Sequence, residues 1–181
     1  MKTLLSILIL SIVAIAQTTP APAPVVPNPN PSANVATNAG QFTVSAKIVP
    51  LFTKTGTVAA SDVGGTFAIT PNLSLRSDNI VSGTQQGYFG GLQYFISSKG
   101  VLAKTNFDPS TFQFYLAASG GLIHNGTTQR PGLLAKGGVN FDPTHKGKFT
   151  VNLIEAGVVS GSIVNSPGVK PIISGGLSLG W

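Results

Sequence analysis

The chain contains no cysteine. That excludes a disulfide framework, a thiolate metal site and an acylated-cysteine lipoprotein anchor. Charge is scarce as well: Asp, Glu, Lys and Arg make up 9% of the residues, five acids against eleven bases. The resulting +6 is modest, and the positives are dispersed with no aromatic–basic cluster, which argues against nucleic-acid binding. The only histidines, His124 and His145, have no metal-site spacing. No glycine-rich phosphate motif occurs in strand–loop–helix context. After the first residues there is no apolar run of 20 and no long segment with apolar residues at helical spacing, so no spanning helix is expected.

What is present begins with an export signal. Lys2 precedes an apolar run from Leu4 to Ile15 that ends in Ala14-Ile15-Ala16. A charged start, a short apolar stretch and a small-residue exit predict a signal peptide over residues 1–16, favoured over an N-terminal membrane anchor. Residues 17–40 carry Pro20, Pro22, Pro24, Pro27, Pro29 and Pro31 among Ala, Val and Asn. Proline lacks an amide donor and holds the backbone near polyproline II, so this stretch reads as a spacer outside any sheet. A disordered linker is favoured over a partner-binding tether.

Residues 41–181 read as one all-β domain of eight strands. Mean hydropathy is +0.30 despite the missing apolar 20-mer, and the apolar residues alternate. The predicted strands are Gln41–Leu51, Asp62–Thr70, Asn72–Val81, Tyr88–Ser98, Thr111–Leu122, Leu133–Phe141, Lys148–Val159 and the last residues to Trp181. Each shows period-2 patterning, as in Phe42, Val44, Ala46 and Ile48 against Thr43, Ser45 and Lys47. Gly-Gly pairs at 64–65, 90–91, 120–121, 137–138 and 175–176 sit inside these segments and predict bends or close approaches. In hydrocarbon every backbone polar group needs a partner, so only a closed sheet can cross with strands. Eight is even, so both ends of the domain fall on one side. The expected connections on that side lie near Pro71, 99–110 and 142–147; the opposite ones lie near 52–61, 82–87, 123–132 and 160–169. An additional strand at Val101–Phe107 would break the parity.

The last strand sets Ile173, Gly175, Leu177, Leu179 and Trp181 against Ser174, Gly176, Ser178 and Gly180 and stops on an aromatic. In this pattern the chain resembles the small eight-stranded outer-membrane barrels of the OmpA-transmembrane and OmpX type, over residues 41–181. The resemblance implies an antiparallel up-and-down transmembrane barrel, a bacterial outer-membrane location with both termini periplasmic, a monomer and no cofactor. It also implies that Leu177, Leu179 and Trp181 form the assembly signal read by the barrel-insertion machinery. The partners expected are outer-membrane lipid and that machinery.

Strict alternation points Lys47, Asp62, Arg76, Asp78 and Lys136 into the barrel. An eight-stranded barrel is just wide enough for side chains to fill it, so these charges are expected to pair. A satisfied polar core is favoured over an ion path; if water passed, three bases against two acids would bias the lumen toward anions. Glu155 breaks the pattern, falling on the lipid side with Phe149, Val151 and Leu153. A bulge around Ile154 that turns Glu155 toward Lys136 or Lys47 is expected. Ser119 and His124 offer a nucleophile and a base without a nearby acid, and His124-Asn125-Gly126 reads better as a loop start. Lys99, Lys104, His145, Lys146 and Lys148 gather at the terminus-side rim, where a solvated surface is favoured over contact with peptidoglycan or anionic headgroups. The favoured function is a non-catalytic structural or interaction barrel with a filled lumen. The alternatives are a small porin-like channel and a soluble secreted β-barrel or sandwich that binds a ligand or partner.

Overall fold

A computed structural model of the chain describes residues 39–53, 56–145, 147–160 and 168–181. The predicted signal peptide, most of the linker and Lys146 lie outside the described residues. Eight antiparallel strands close on themselves in chain order: β1 Phe42–Thr53, β2 Gly56–Thr70, β3 Leu73–Ser82, β4 Gln85–Ile96, β5 Phe112–Asn125, β6 Thr128–Phe141, β7 Phe149–Ser160 and β8 Val169–Gly180. The seam is the β1–β8 ladder, with Thr43 opposite Gly180 and Ile48 opposite Gly175. Both ends of the domain meet there. Phe42 and Trp181 exchange backbone hydrogen bonds of 3.2 and 3.0 Å, and their rings touch edge to face at 5.4 Å.

Three expectations about the connections are corrected. The loops placed at 82–87 and 123–132 are two-residue turns at Gly83-Thr84 and Gly126-Thr127, and the flanking strands run on to meet them. Gly83 and Gly126 have φ of 58° and 60°; a glycine at the first central position lets a two-residue hairpin follow the sheet twist. The loop placed at 52–61 is likewise absorbed into β1 and β2, leaving 54–55 outside the described residues, as is most of the loop placed at 160–169. The reading at 99–110 resolves the other way: residues Ser98–Leu102 form a one-turn helix, α1, and no strand occurs between β4 and β5. The longer described connections, 97–111 and 142–148, therefore lie at the end that carries the termini.

The two faces of the sheet differ in kind. Outward positions carry Ile48, Val63, Leu75, Leu92, Leu116, Leu133, Ile173 and Leu177, all exposed. Every described strand residue that is Asp, Glu, Lys or Arg takes an inward position. Arg130, at the rim, faces inward by its pairing with the buried Ile123. One glycine of each Gly-Gly pair faces inward and its neighbour outward, so the pairs mark places where the inner wall is bare. A soluble barrel needs the reverse arrangement, with its apolar face inside. Leu116, at mid-height on the outer face, gives a direct check: Leu116→Arg is expected to cost about 2–4 kcal/mol in lipid bilayers, read from the urea midpoint. An unchanged midpoint would mean that this face does not meet hydrocarbon.

Candidate functional site: a charge cage inside the barrel

Lys47, Asp62, Arg76, Asp78, Lys136 and Glu155 each sit near the midpoint of a strand, and five strands bring them together on the axis. All six are buried. Glu155 is the hub. It lies within 3.1 Å of Lys47 Nζ, 2.7 Å of Arg76 Nη2 and 3.0 Å of Lys136 Nζ. It also accepts from Tyr115 Oη at 2.5 Å and Ser174 Oγ at 2.7 Å. Arg76 clamps Asp78 with two hydrogen bonds of 2.8 and 2.7 Å and donates to Gln93 Oε1 at 2.8 Å. Its guanidinium carbon lies over the Tyr115 ring, 5.5 Å from the centroid, a cation–π contact. Lys136 bridges Asp62 at 2.9 Å and Asp78 at 3.1 Å. Three cations thus face three carboxylates, and the cage is neutral. The anion bias expected from five inward charges disappears once Glu155 is counted.

A bulge puts Glu155 there. Val139 pairs with Ile154 and Asn140 with Asn152, so one residue of β7 has no partner on β6. Leu153 and Ile154 are both exposed to the outside. The extra residue shifts the alternation by one and turns Glu155 inward. Gly138 makes room on the neighbouring strand: a Cβ there would lie 2.5 Å from Tyr115 Oη. Tyr115 folds over this bare backbone to reach both Glu155 and Asn152 Nδ2, the latter at 2.8 Å.

The charge cage divides the lumen into unlike halves. Toward the two-residue turns, Val49, Leu51, Ala60, Ile80, Phe89, Ile123, Leu134, Val159 and Ile172 form one buried apolar cluster. Sequence reading missed this plug, yet a signal exists: Ile48-Val49, Ile80-Val81, Leu122-Ile123, Leu133-Leu134, Val158-Val159 and Ile172-Ile173 are apolar doublets in six strands. A doublet is apolar on both faces, so it marks the height at which the interior is dry. Toward the termini the lumen is polar and contains a cavity of about 40 Å³.

The remaining candidates do not assemble. Ser119 faces the lumen, while His124 lies five residues on, at an outward position of β5, so the two point away from each other. Among the described residues, no group of three or more His, Cys, Asp or Glu could hold a metal ion. At the terminus end the two Asp-Pro turns are built alike. Asp108 Oδ1 accepts from Ser110 N at 2.9 Å and Oγ at 2.7 Å; Asp142 Oδ1 accepts from Thr144 N at 2.9 Å and Oγ1 at 2.7 Å. The Ser110 amide, and then its hydroxyl, hold the Asp108 carboxyl below the usual carboxylate range. Ser110 Oγ lies 3.0 Å from His145 Nδ1, which ties the two turns together. The acid bonds the serine and not the imidazole, so the group is a loop clasp without the geometry of a catalytic triad.

No family model matches the chain, and no curated protein matches it. Several solved barrels are similar in structure. A de novo designed transmembrane β-barrel is 15% identical, with 81% of this chain and 99% of that one covered and a TM-score of 0.49. Neisserial surface protein A is 16% identical, with 77% and 93% covered and a TM-score of 0.45. The outer membrane protein OprG from Pseudomonas aeruginosa is 9% identical, with 81% and 98% covered and a TM-score of 0.48. These likenesses assign no location or activity. The class is defined by the chain's own two faces: a closed, eight-stranded, antiparallel up-and-down barrel, charged inside and apolar outside. That is the layout a barrel needs when hydrocarbon surrounds it.

Proposed function

We propose that the protein is a membrane-spanning barrel of the bacterial outer membrane, non-catalytic and structural or interactive in role, with a lumen closed by its own side chains. The observation that carries this is the sorting of charge: no described strand residue carries one on the outer face, and six meet at mid-height on the axis. Surrounding lipid is the first partner. The aromatic residues Phe42, Phe112, Phe141, Phe149 and Trp181 lie at strand ends on the terminus side, where an interfacial girdle belongs. Leu177, Leu179 and Trp181 supply the recognition strand for the insertion machinery, and Trp181 also closes the seam against Phe42. The same reading includes export behind a signal peptide of residues 1–16, both ends of the barrel on the periplasmic side, and a monomer.

A lumen filled by an ion-pair layer and an apolar plug favours this reading over the porin-like channel. Expression in a Gram-negative host should place the mature chain in the outer-membrane fraction as a heat-modifiable band, silent in a planar bilayer. Recovery from the soluble periplasm would overturn the location, and discrete conductance steps would overturn the closed lumen.

A further inference from the structure

The terminus-side half of the lumen contains buried polar atoms with no hydrogen-bond partner among the described residues. Gln113 Nε2 and Asn152 Oδ1 are buried without a partner among the described residues, in residues 4% and 3% exposed. Both residues line the cavity of about 40 Å³, along with Arg76, Gln93, Asn140 and Thr150. An amide donor or acceptor left bare in a dry interior costs about 1–3 kcal/mol. One is a donor and the other an acceptor, so a single ion of either sign suits only one of them, whereas water suits both. The space is sufficient: a water needs roughly 10–15 Å³ of such volume, so two or three fit. At the inner end of the cavity Asn152 donates to Tyr115 Oη at 2.8 Å and Tyr115 donates to Glu155 at 2.5 Å. On the far side of the charge cage the next layer is the apolar plug of Val49, Leu51, Ile80, Leu134 and Val159; the buried polar residues on that side, Ser82, Gln85 and Lys170, lie toward the other mouth, with Lys170 paired to Val159.

We propose that this half of the lumen is a blind, water-filled pocket that gives water and small polar solutes access to the charge cage from the terminus end alone. The barrel is then a half-pore: wet from one mouth to its middle and shut beyond it by the apolar layer. This asymmetry goes beyond the proposed role in the outer membrane and does not depend on where the protein resides.

The absence of native cysteine makes a clean test possible. Thr150 and Val159 are inward residues of the same strand, each one residue from an end of β7. Single variants Thr150→Cys and Val159→Cys, folded in detergent micelles so that both mouths meet bulk water, are treated with a small charged methanethiosulfonate. Only the heat-modifiable, folded band is scored, and urea-unfolded samples set the intrinsic rates. Thr150→Cys should react at least tenfold faster than Val159→Cys in the folded state, and equally in urea. Asn140→Cys, a second pocket position, should follow Thr150→Cys, and Leu134→Cys should follow Val159→Cys. Equal folded-state rates at the two depths, or faster reaction in the plug, would overturn the half-pore. Recovery of the chain from the soluble periplasm would refute the outer-membrane reading and leave this result untouched.

Discussion

Replacing Glu155 by alanine is expected to lower the stability of the folded barrel by about 3–5 kcal/mol, the usual cost of removing one partner from a buried charge pair. The carboxylate lies within 3.1 Å of all three cage cations, so its loss leaves Lys47, Arg76 and Lys136 facing only Asp62 and Asp78. A net charge left in this narrow lumen is offset only in part by the few waters that the terminus-side cavity admits. The single tryptophan provides the readout: Trp181 emission and heat-modifiable migration, followed through urea, should both shift to lower denaturant. Glu155→Gln isolates the charge from the shape. Adding Lys47→Met to that variant restores two cations against two acids and should recover part of the loss. If Glu155→Gln alone is neutral, bulk solvent screens the charge cage from both sides and the filled-lumen account fails.

Gly121→Ala should be nearly as damaging, while the adjacent Gly120→Ala is tolerated. Gly121 faces inward, and a Cβ there would strike the Tyr88 carbonyl oxygen, a backbone atom of the neighbouring strand. Gly91, Gly157 and Gly176 are in the same position against Ala118, Ala135 and Ala46. A barrel this narrow bends its strands hard, and bare backbone on the inner wall lets neighbours close up. Overpacking against backbone cannot relax by a change of rotamer, so about 3 kcal/mol or more is expected. Gly120 faces outward with only Leu133 Cδ2 near, at 3.9 Å, and its alanine should stay within about 0.5 kcal/mol of the parent. The comparison is read by the folded fraction on detergent gels. Equal tolerance at 120 and 121 would refute the inside–outside assignment of β5.

How much of this was legible without coordinates depended on the contrast between faces. Where bulky apolar residues alternate with polar ones, as from Phe42 to Ile48, the strand and its inner face could both be read. Where the outer face carries small residues, as at Thr57, Ala59 and Ser61, alternation is weak and the strand passed for loop. The two-residue turns were hidden the same way, because Gly83 and Gly126 mark a turn but not its length. The interior charges were legible because an ionised side chain tolerates only one face of a membrane sheet. The apolar plug was not, since an inward Val49 beside an outward Ile48 breaks the period that identifies a strand. Phe95 shows the same effect: it interrupts a polar face in the sequence, and in the fold it packs inside against Tyr115, ring centroids 6.2 Å apart.

Folding residues 17–181, the chain without its predicted signal peptide, with and without lipid tests the central claim most directly. Diluted from urea into vesicles or detergent micelles, it should give a compact, heat-modifiable monomer with blue-shifted Trp181 emission, quenched by lipids brominated near the headgroup. Diluted into buffer alone, it should aggregate or stay unfolded. A water-soluble, detergent-free monomer rich in β-structure, with Ile48, Leu116 and Leu133 protected from solvent, would contradict it.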